Sequence, residues 1–206
     1  IQPHNVPDPD AIAASFGLQH LLKIRGIEAQ IVYENEIEKA NSSKMLELFD
    51  IRLSLASDVA TLGEEDWTVL VDVQKGNSNV IDLVTDEVAV IDHHEYMGNN
   101  GYKLEDVRPE IGACSTIITQ YYIENNIELH TQIVLMPGKN DGDQLIKTLT
   151  DIYQYYPKLQ SCSIVPVGLT GHRDGLVKLS TVSSDYAKQF LQRFPQLRAQ
   201  FKGVDH

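Results

Sequence analysis

The chain has 206 residues, of which 42% are hydrophobic and 22% charged, with a formal net charge of −12. These are values of an ordinary globular protein with room for one large domain or two small ones. The 29 acidic against 17 basic residues argue against a long nucleic-acid track, which needs clustered Lys and Arg. No apolar run is long enough to span a bilayer and no basic-then-apolar leader opens the chain.

The expectation is therefore a cytoplasmic protein with no membrane partner. An acidic chain still admits a small phosphorylated partner if divalent cations reverse the local sign. The first residue is Ile1 rather than methionine, so a trimmed, processed or engineered amino terminus is expected.

In chain order, Ala11 to Arg25 has the apolar spacing of a helix closed by Gly26. Ala29 to Tyr33 reads as a short strand, and Ser42 to Phe49 as a helix capped by Asn41 or Ser42. Val69 to Val73 and Val88 to Ile91 are β-branched apolar runs of the kind buried on both faces of a parallel sheet. Gly112 to Asn125 is a further helix. Beyond Asn126, Gln132 to Met136 predicts a strand, Asp141 to Tyr156 a helix with Asn140 as cap, and Ser161 to Val167 a strand. A loop with Gly168, Gly171 and Gly175 follows, then a helix from a Ser183 cap to Phe194 and a frayed tail. The pattern predicts an α/β class: a mostly parallel sheet flanked by helices, in which an amino-terminal part (1–128) is continued by βα units (129–206).

Cys114 and Cys162 lie far apart in apolar settings and read as free thiols in a reducing compartment. No CxxC or CxxxCxxC spacing occurs, so neither a cysteine-held zinc nor an iron–sulfur cluster is expected.

The chemistry concentrates earlier. His4-x-x-x-Asp8-x-Asp10 precedes the first helix, with Pro7 and Pro9 keeping its backbone extended. Asp72 follows one apolar strand, and Asp92-His93-His94 ends another. Ligands in open α/β sheets gather beyond the carboxyl ends of the strands. The spacing therefore aims His4, Asp8, Asp10, Asp72, Asp92, His93 and His94 at one crevice. Any one aspartate could be a helix cap or turn residue, and a His-His pair could be an incidental loop feature; all of them together read as a site. Mixed carboxylate and imidazole donors suit Mn²⁺, with Mg²⁺ as the harder alternative. Two ions about 3.5–4 Å apart can share a carboxylate, activate a bridging water and neutralise a phosphoryl oxygen.

The segments "HNVPDPDAIAASFGLQHLL" (His4 to Leu22), "VLVDVQKGNSN" (Val69 to Asn79), "VAVIDHH" (Val88 to His94) and "DVRPEIGACSTIITQYY" (Asp106 to Tyr122) resemble the DHH phosphoesterase family. The forms "VDVQ" and "GACSTII" are closer to its oligoribonuclease-like branch than to its manganese pyrophosphatase branch. The resemblance, covering about residues 1–126, implies two Mn²⁺ ions, one on His4, Asp8 and Asp72 and the other on Asp10, Asp72 and His93. It implies that Asp92 supports the histidine pair and that His94 contacts the scissile phosphate. Arg108 is a further candidate for a phosphate contact, with a surface arginine as the plainer alternative.

Three features depart from the family pattern. Only Ile1, Gln2 and Pro3 precede His4 where the family has a full strand. No later "GI-x-x-DT" type segment supplies its aspartate, and Gly138-Lys139-Asn140-Asp141 reads better as a helix entry. The family's glycine-rich substrate-binding domain is not expected within these 206 residues.

"QIVLMPGKNDGDQLIKTLTDIYQYYPKLQSCSIVPVGLTGHRDGL" (Gln132 to Leu176) resembles later barrel strands of a radical S-adenosylmethionine-type iron–sulfur protein, over about 130–194. The cluster-binding cysteines of such a family are not in this chain, so no catalytic role transfers. Both halves resemble proteins built of βα units, so a spliced sheet could continue across Glu128 to Ile133. The expected function is divalent-metal-dependent hydrolysis of a short oligonucleotide, nucleotide phosphate or pyrophosphate. The rival expectation is a natural or engineered chimeric or truncated scaffold that keeps metal ligands without catalysis.

Overall fold

The structure is a computed structural model that describes residues 1–37, 39–98, 100–169 and 178–201. It divides into two compact units, Ile1–Tyr122 and Ile123–His206.

The first unit is built on four parallel strands in the order β1-β4-β5-β6. These are β1 (Gln2–Pro3), β4 (Trp67–Val71), β5 (Asp86–Asp92) and β6 (Leu104–Val107). Two short strands, β2 (Val32–Tyr33) and β3 (Ser54–Leu55), pair in parallel beside it. The helices are α1 (Pro9–Ile24), α2 (Ala40–Phe49) and α3 (Cys114–Glu124). The class is α/β with parallel sheets flanked by helices, as the strand and helix periodicities imply.

Alternation along β4 and β5 divides the core. Val71 and Ile91 face Ala14 and Leu18 of α1 and Cys114, Ile117 and Ile118 of α3. Leu70 and Val90 point the other way, where Val73, Val80, Tyr102 and Val107 cover them. Side chains as buried as Leu70 and Ile117 each contribute roughly 1.5–3 kcal/mol. α1 lies so close to α3 that a Cβ on Gly17 would come within 2.8 Å of Ile118 Cγ2. The Tyr122 hydroxyl donates to the Gly17 carbonyl at 2.9 Å and fastens the same crossing.

The strand before His4 exists as the two-residue β1, registered Gln2 on Leu70 and Pro3 on Val71. It is enough to deliver His4 to the carboxyl edge of the sheet. Several boundaries differ from the sequence-based expectation. β4 ends at Val71 because Asp72 turns left-handed, so Val73 is buried outside the strand. α2 starts at Ala40 with Lys39 in the cap position, while Asn41 Oδ1 accepts from the Ser42 N–H. β3 and β6 carry little apolar alternation and are not predicted; β6 survives as an edge strand on its backbone ladder.

The second unit consists of β7 (Leu129–Leu135), α4 (Gly142–Tyr153), β8 (Leu159–Pro166) and α5 (Ser184–Gln200). β7 and β8 form their own two-stranded parallel sheet. Its core joins Leu135, Leu145 and Leu149 to Ile133, Ile164, Tyr186 and Phe190. Asp141, not Asn140, holds the cap position of α4; Asn140 instead bridges the Met136 N–H and the Val134 carbonyl. Asp141 also accepts from Gly138 N–H and the Tyr186 hydroxyl. Gly138 to Asp141 is therefore a helix entry. Ser183 caps α5 through the Tyr186 N–H, and the helix runs past Pro195 to Gln200 rather than stopping at Phe194. Gly171 and Gly175 of the expected glycine loop lie outside the described residues. Among the described residues no helix is long and apolar enough to cross a membrane.

Candidate metal centre

The carboxyl edge of the first unit's sheet gathers its polar residues. His4 follows β1, Asp8 caps α1, Asp10 lies in its first turn, Asp72 follows β4, and Asp92 is the last residue of β5. His93 and His94 come next in the chain. Two backbones here are left-handed without being glycine, Val6 at φ +38° and Asp72 at φ +62°. Such conformations cost about 1–3 kcal/mol each and persist where surrounding contacts enforce them. The Asp72 N–H still donates to the Ile91 carbonyl at 2.9 Å, which pins the turn to β5.

Ligand atoms of His4, Asp8 and Asp72 lie within 4.8 Å of one another, and so do those of Asp72, His93 and His94. His4 Nε2 is 3.8 Å from Asp72 Oδ2. His93 Nε2 is 3.2 Å from Asp72 Oδ1 and 3.7 Å from Asp10 Oδ2. Asp72 is thus common to both groups, and Asp10 reaches the second through His93.

Two of the aspartates also have helix-cap duties. Asp8 Oδ1 accepts from the Asp10 and Ala11 N–H groups at the start of α1. Asp10 accepts from the Cys114 and Ser115 N–H groups at the start of α3. The cap reading and the ligand reading are compatible, because a carboxylate has about four acceptor sites.

The histidines are oriented from behind. His93 Nδ1 lies 3.2 Å from the Ile111 carbonyl, which can only accept, so in the neutral ring Nδ1 carries the hydrogen and Nε2 keeps its lone pair. His94 Nδ1 is 2.8 Å from Asp92 Oδ1. Asp92 is buried and also accepts from the His93 N–H and from Gln74 Nε2. Its lone pairs are turned to the protein rather than to the crevice. The His94 side chain is 56% exposed, which leaves its Nε2 accessible.

Asp72 is the electrostatic anomaly. It is 3% exposed, and its Oδ1 has no hydrogen-bond partner. Burial, with repulsion from Asp10, Asp8 and Asp92 and partial relief from His94, pushes its pKa up to about 7. Burial also lowers that of His4, against the attraction of Asp8. For His94 burial acts downward, but the Asp92 hydrogen bond and neighbouring carboxylates overcome it, and the net shift is upward.

With Asp72 ionised and His93 neutral, the lone pair on His93 Nε2 faces a buried carboxylate oxygen, an acceptor facing an acceptor. A shared proton or a cation between them resolves it, and the donor set fits a divalent ion. Imidazole mixed with carboxylate is the chemistry of manganese-like ions more than of calcium or thiolate-bound zinc.

Arg108 sits elsewhere in its hydrogen bonding. Its guanidinium makes a two-point contact with Asp106, at 2.5 and 2.7 Å, and reaches Gln120. The Tyr121 hydroxyl joins Asp106 in the same cluster. Two contributors were not named as site residues from sequence: the Ile111 carbonyl, which any residue supplies, and Gln74, whose only signal was its place in the "VDVQ" form.

Comparison with known proteins follows the same lines. An uncharacterized protein of Methanocaldococcus jannaschii is 34% identical over 125 residues, 61% of this chain and 26% of its own length. A probable manganese-dependent inorganic pyrophosphatase of Lactiplantibacillus plantarum is 30% identical over 154 residues, 72% of this chain and 46% of its own length. That of Enterococcus faecalis is 27% identical over 193 residues, 91% of this chain and 62% of its own length. The chain spans less than two thirds of each of these relatives. Residues 108–162 match the Radical SAM-like domain family. That match starts earlier and stops sooner than the 130–194 resemblance expected from sequence. Because the Enterococcus alignment covers 91% of the chain, the pyrophosphatase likeness runs past residue 126 and overlaps the Radical SAM-like stretch.

Proposed function

We propose that the chain carries the metal-binding part of a divalent-metal-dependent phosphohydrolase acting on a small phosphorylated substrate: pyrophosphate, a nucleotide phosphate or a short oligonucleotide. The observation that carries this reading is the buried, unpartnered Asp72 Oδ1 with His93 Nε2 facing it at 3.2 Å. The likeness to manganese-dependent pyrophosphatases supports manganese as the ion. His4, Asp8 and Asp72 would hold one ion, and Asp10, Asp72 and His93 a second. Bound manganese supplies Lewis acidity and cancels phosphoryl charge.

The chain's own residues do the rest. Asp92 holds His94 by Nδ1 and favours its imidazolium form, in which Nε2 would donate to a phosphoryl oxygen at the open side of the crevice. The Ile111 carbonyl fixes the His93 ring. Arg108 is kept as a candidate phosphate contact only if it exchanges Asp106 for substrate. The composite likeness of the chain favours a second reading, a scaffold with metal ligands and no turnover.

Hydrolysis of pyrophosphate and of a dinucleotide, measured with Mn²⁺ and with Mg²⁺, separates the two. Turnover that needs the metal and falls at least about 100-fold in Asp72→Asn supports the enzyme. No turnover on any phosphorylated substrate, with manganese bound, supports the scaffold.

A further inference from the structure

Two residues beyond Asp72, the side chain of Gln74 is 2% exposed and has every polar atom engaged. Its Nε2 donates to Asp92 Oδ2 at 2.7 Å and to the Glu95 carbonyl at 2.9 Å. Its Oε1 accepts from the Met97 N–H at 2.9 Å. Only one orientation of the amide satisfies this set. A carboxylate and a carbonyl can only accept, and a backbone N–H can only donate. Gln74 therefore joins three separate things: the turn after β4, the carboxylate ending β5, and the segment just past His94.

The geometry points to Gln74 as a positioning residue for the metal centre, acting through Asp92 and the 95–97 segment to hold His94 in one ring orientation and one tautomer. This rests on the phosphohydrolase reading for its functional meaning, but not for its physical content. Asp92 has two oxygens, and Gln74 is the side-chain partner of Oδ2 while His94 takes Oδ1. Without the donor on Oδ2, the carboxylate is held at Oδ1 alone, by the His93 N–H and the His94 ring, and its plane is no longer fixed from the other side. The clamp on Glu95 and Met97 acts in parallel, since it fixes the chain on the far side of His94. A glutamate in this position would keep the size and lose both donors, setting a carboxylate against Asp92. A methionine would keep the length and lose all three bonds.

The experiment uses the full chain in three forms, wild type, Gln74→Met and Gln74→Glu, with Asp92→Asn as reference. Imidazole nitrogen NMR of the neutral, metal-free protein reads the His94 tautomer without any need for activity. Wild type is expected to hold Nδ1–H on His94, and both Gln74 variants to show a mixture dominated by the other tautomer. Hydrolysis by the manganese-loaded protein is expected to fall roughly 10- to 100-fold in each variant, and Gln74→Met with Asp92→Asn to be no worse than Asp92→Asn alone. Far-ultraviolet circular dichroism selects the variants that fold; Gln74→Glu retains the side-chain volume should Gln74→Met not fold. An unchanged His94 tautomer in a folded variant overturns the inference. If wild type hydrolyses nothing yet the tautomer shifts as described, the phosphohydrolase reading fails and the positioning role stands.

Discussion

Asp72 combines three costs in one residue: a left-handed backbone at φ +62°, near-complete burial, and an oxygen with no partner. No stability argument favours such an aspartate by itself, whereas a bound cation would supply the partner that its oxygen lacks. The burial has a measurable consequence in metal-free protein. Its folded pKa is raised to about 7 from an ordinary value of 3.8, so the folded state holds a proton that the unfolded state has released. The stabilisation is complete below the ordinary value and is lost as pH rises through about 7. In chelator, urea unfolding should therefore show stability falling between pH 4 and 7, by up to about 1.4 kcal/mol per pH unit. Asp72→Asn should flatten that slope, and a slope equal in both proteins would refute the assignment. The candidate ligands were visible in the sequence because carboxylates and imidazoles rarely collect behind strands by accident. The directions they face were not, since tautomers depend on a carbonyl such as Ile111 that leaves no mark in the sequence.

The elements with strong periodicity, α1 and the β-branched strands β4 and β5, were legible, and so was the Ser183 cap of α5. What escaped depends on tertiary contact. β6 is polar and forms because β5 offers it a ladder. α5 continues through Pro195 because Tyr186, Phe190, Leu197 and Phe201 pack onto one core, outweighing a missing N–H. Gly17 shows the same rule from the other side. An alanine gains roughly 1 kcal/mol of helix propensity, but its Cβ would lie 2.8 Å from buried Ile118. Overpacking of this kind costs about 1–3 kcal/mol, and Gly17→Ala should lower stability by about 1 kcal/mol in denaturant titration, where a gain would mean that α1 and α3 separate freely.

At the scale of the molecule, the contact boundary between Tyr122 and Ile123 does not coincide with the boundaries of the likenesses. The Radical SAM-like match begins at 108 and the pyrophosphatase likeness continues beyond it. The strong motifs end near Tyr122, which makes the halves look separate in the sequence; βα units from different families share the same physical pattern, and nothing in that pattern marks a seam. The candidate metal residues named from sequence all belong to the first unit. Calorimetric titration of the full chain with Mn²⁺, beside Asp72→Asn, tests this most directly. The account predicts saturable manganese binding in the wild type, weakened at least about 10-fold in the variant. Equal binding by the two proteins, or none by the wild type, would contradict it.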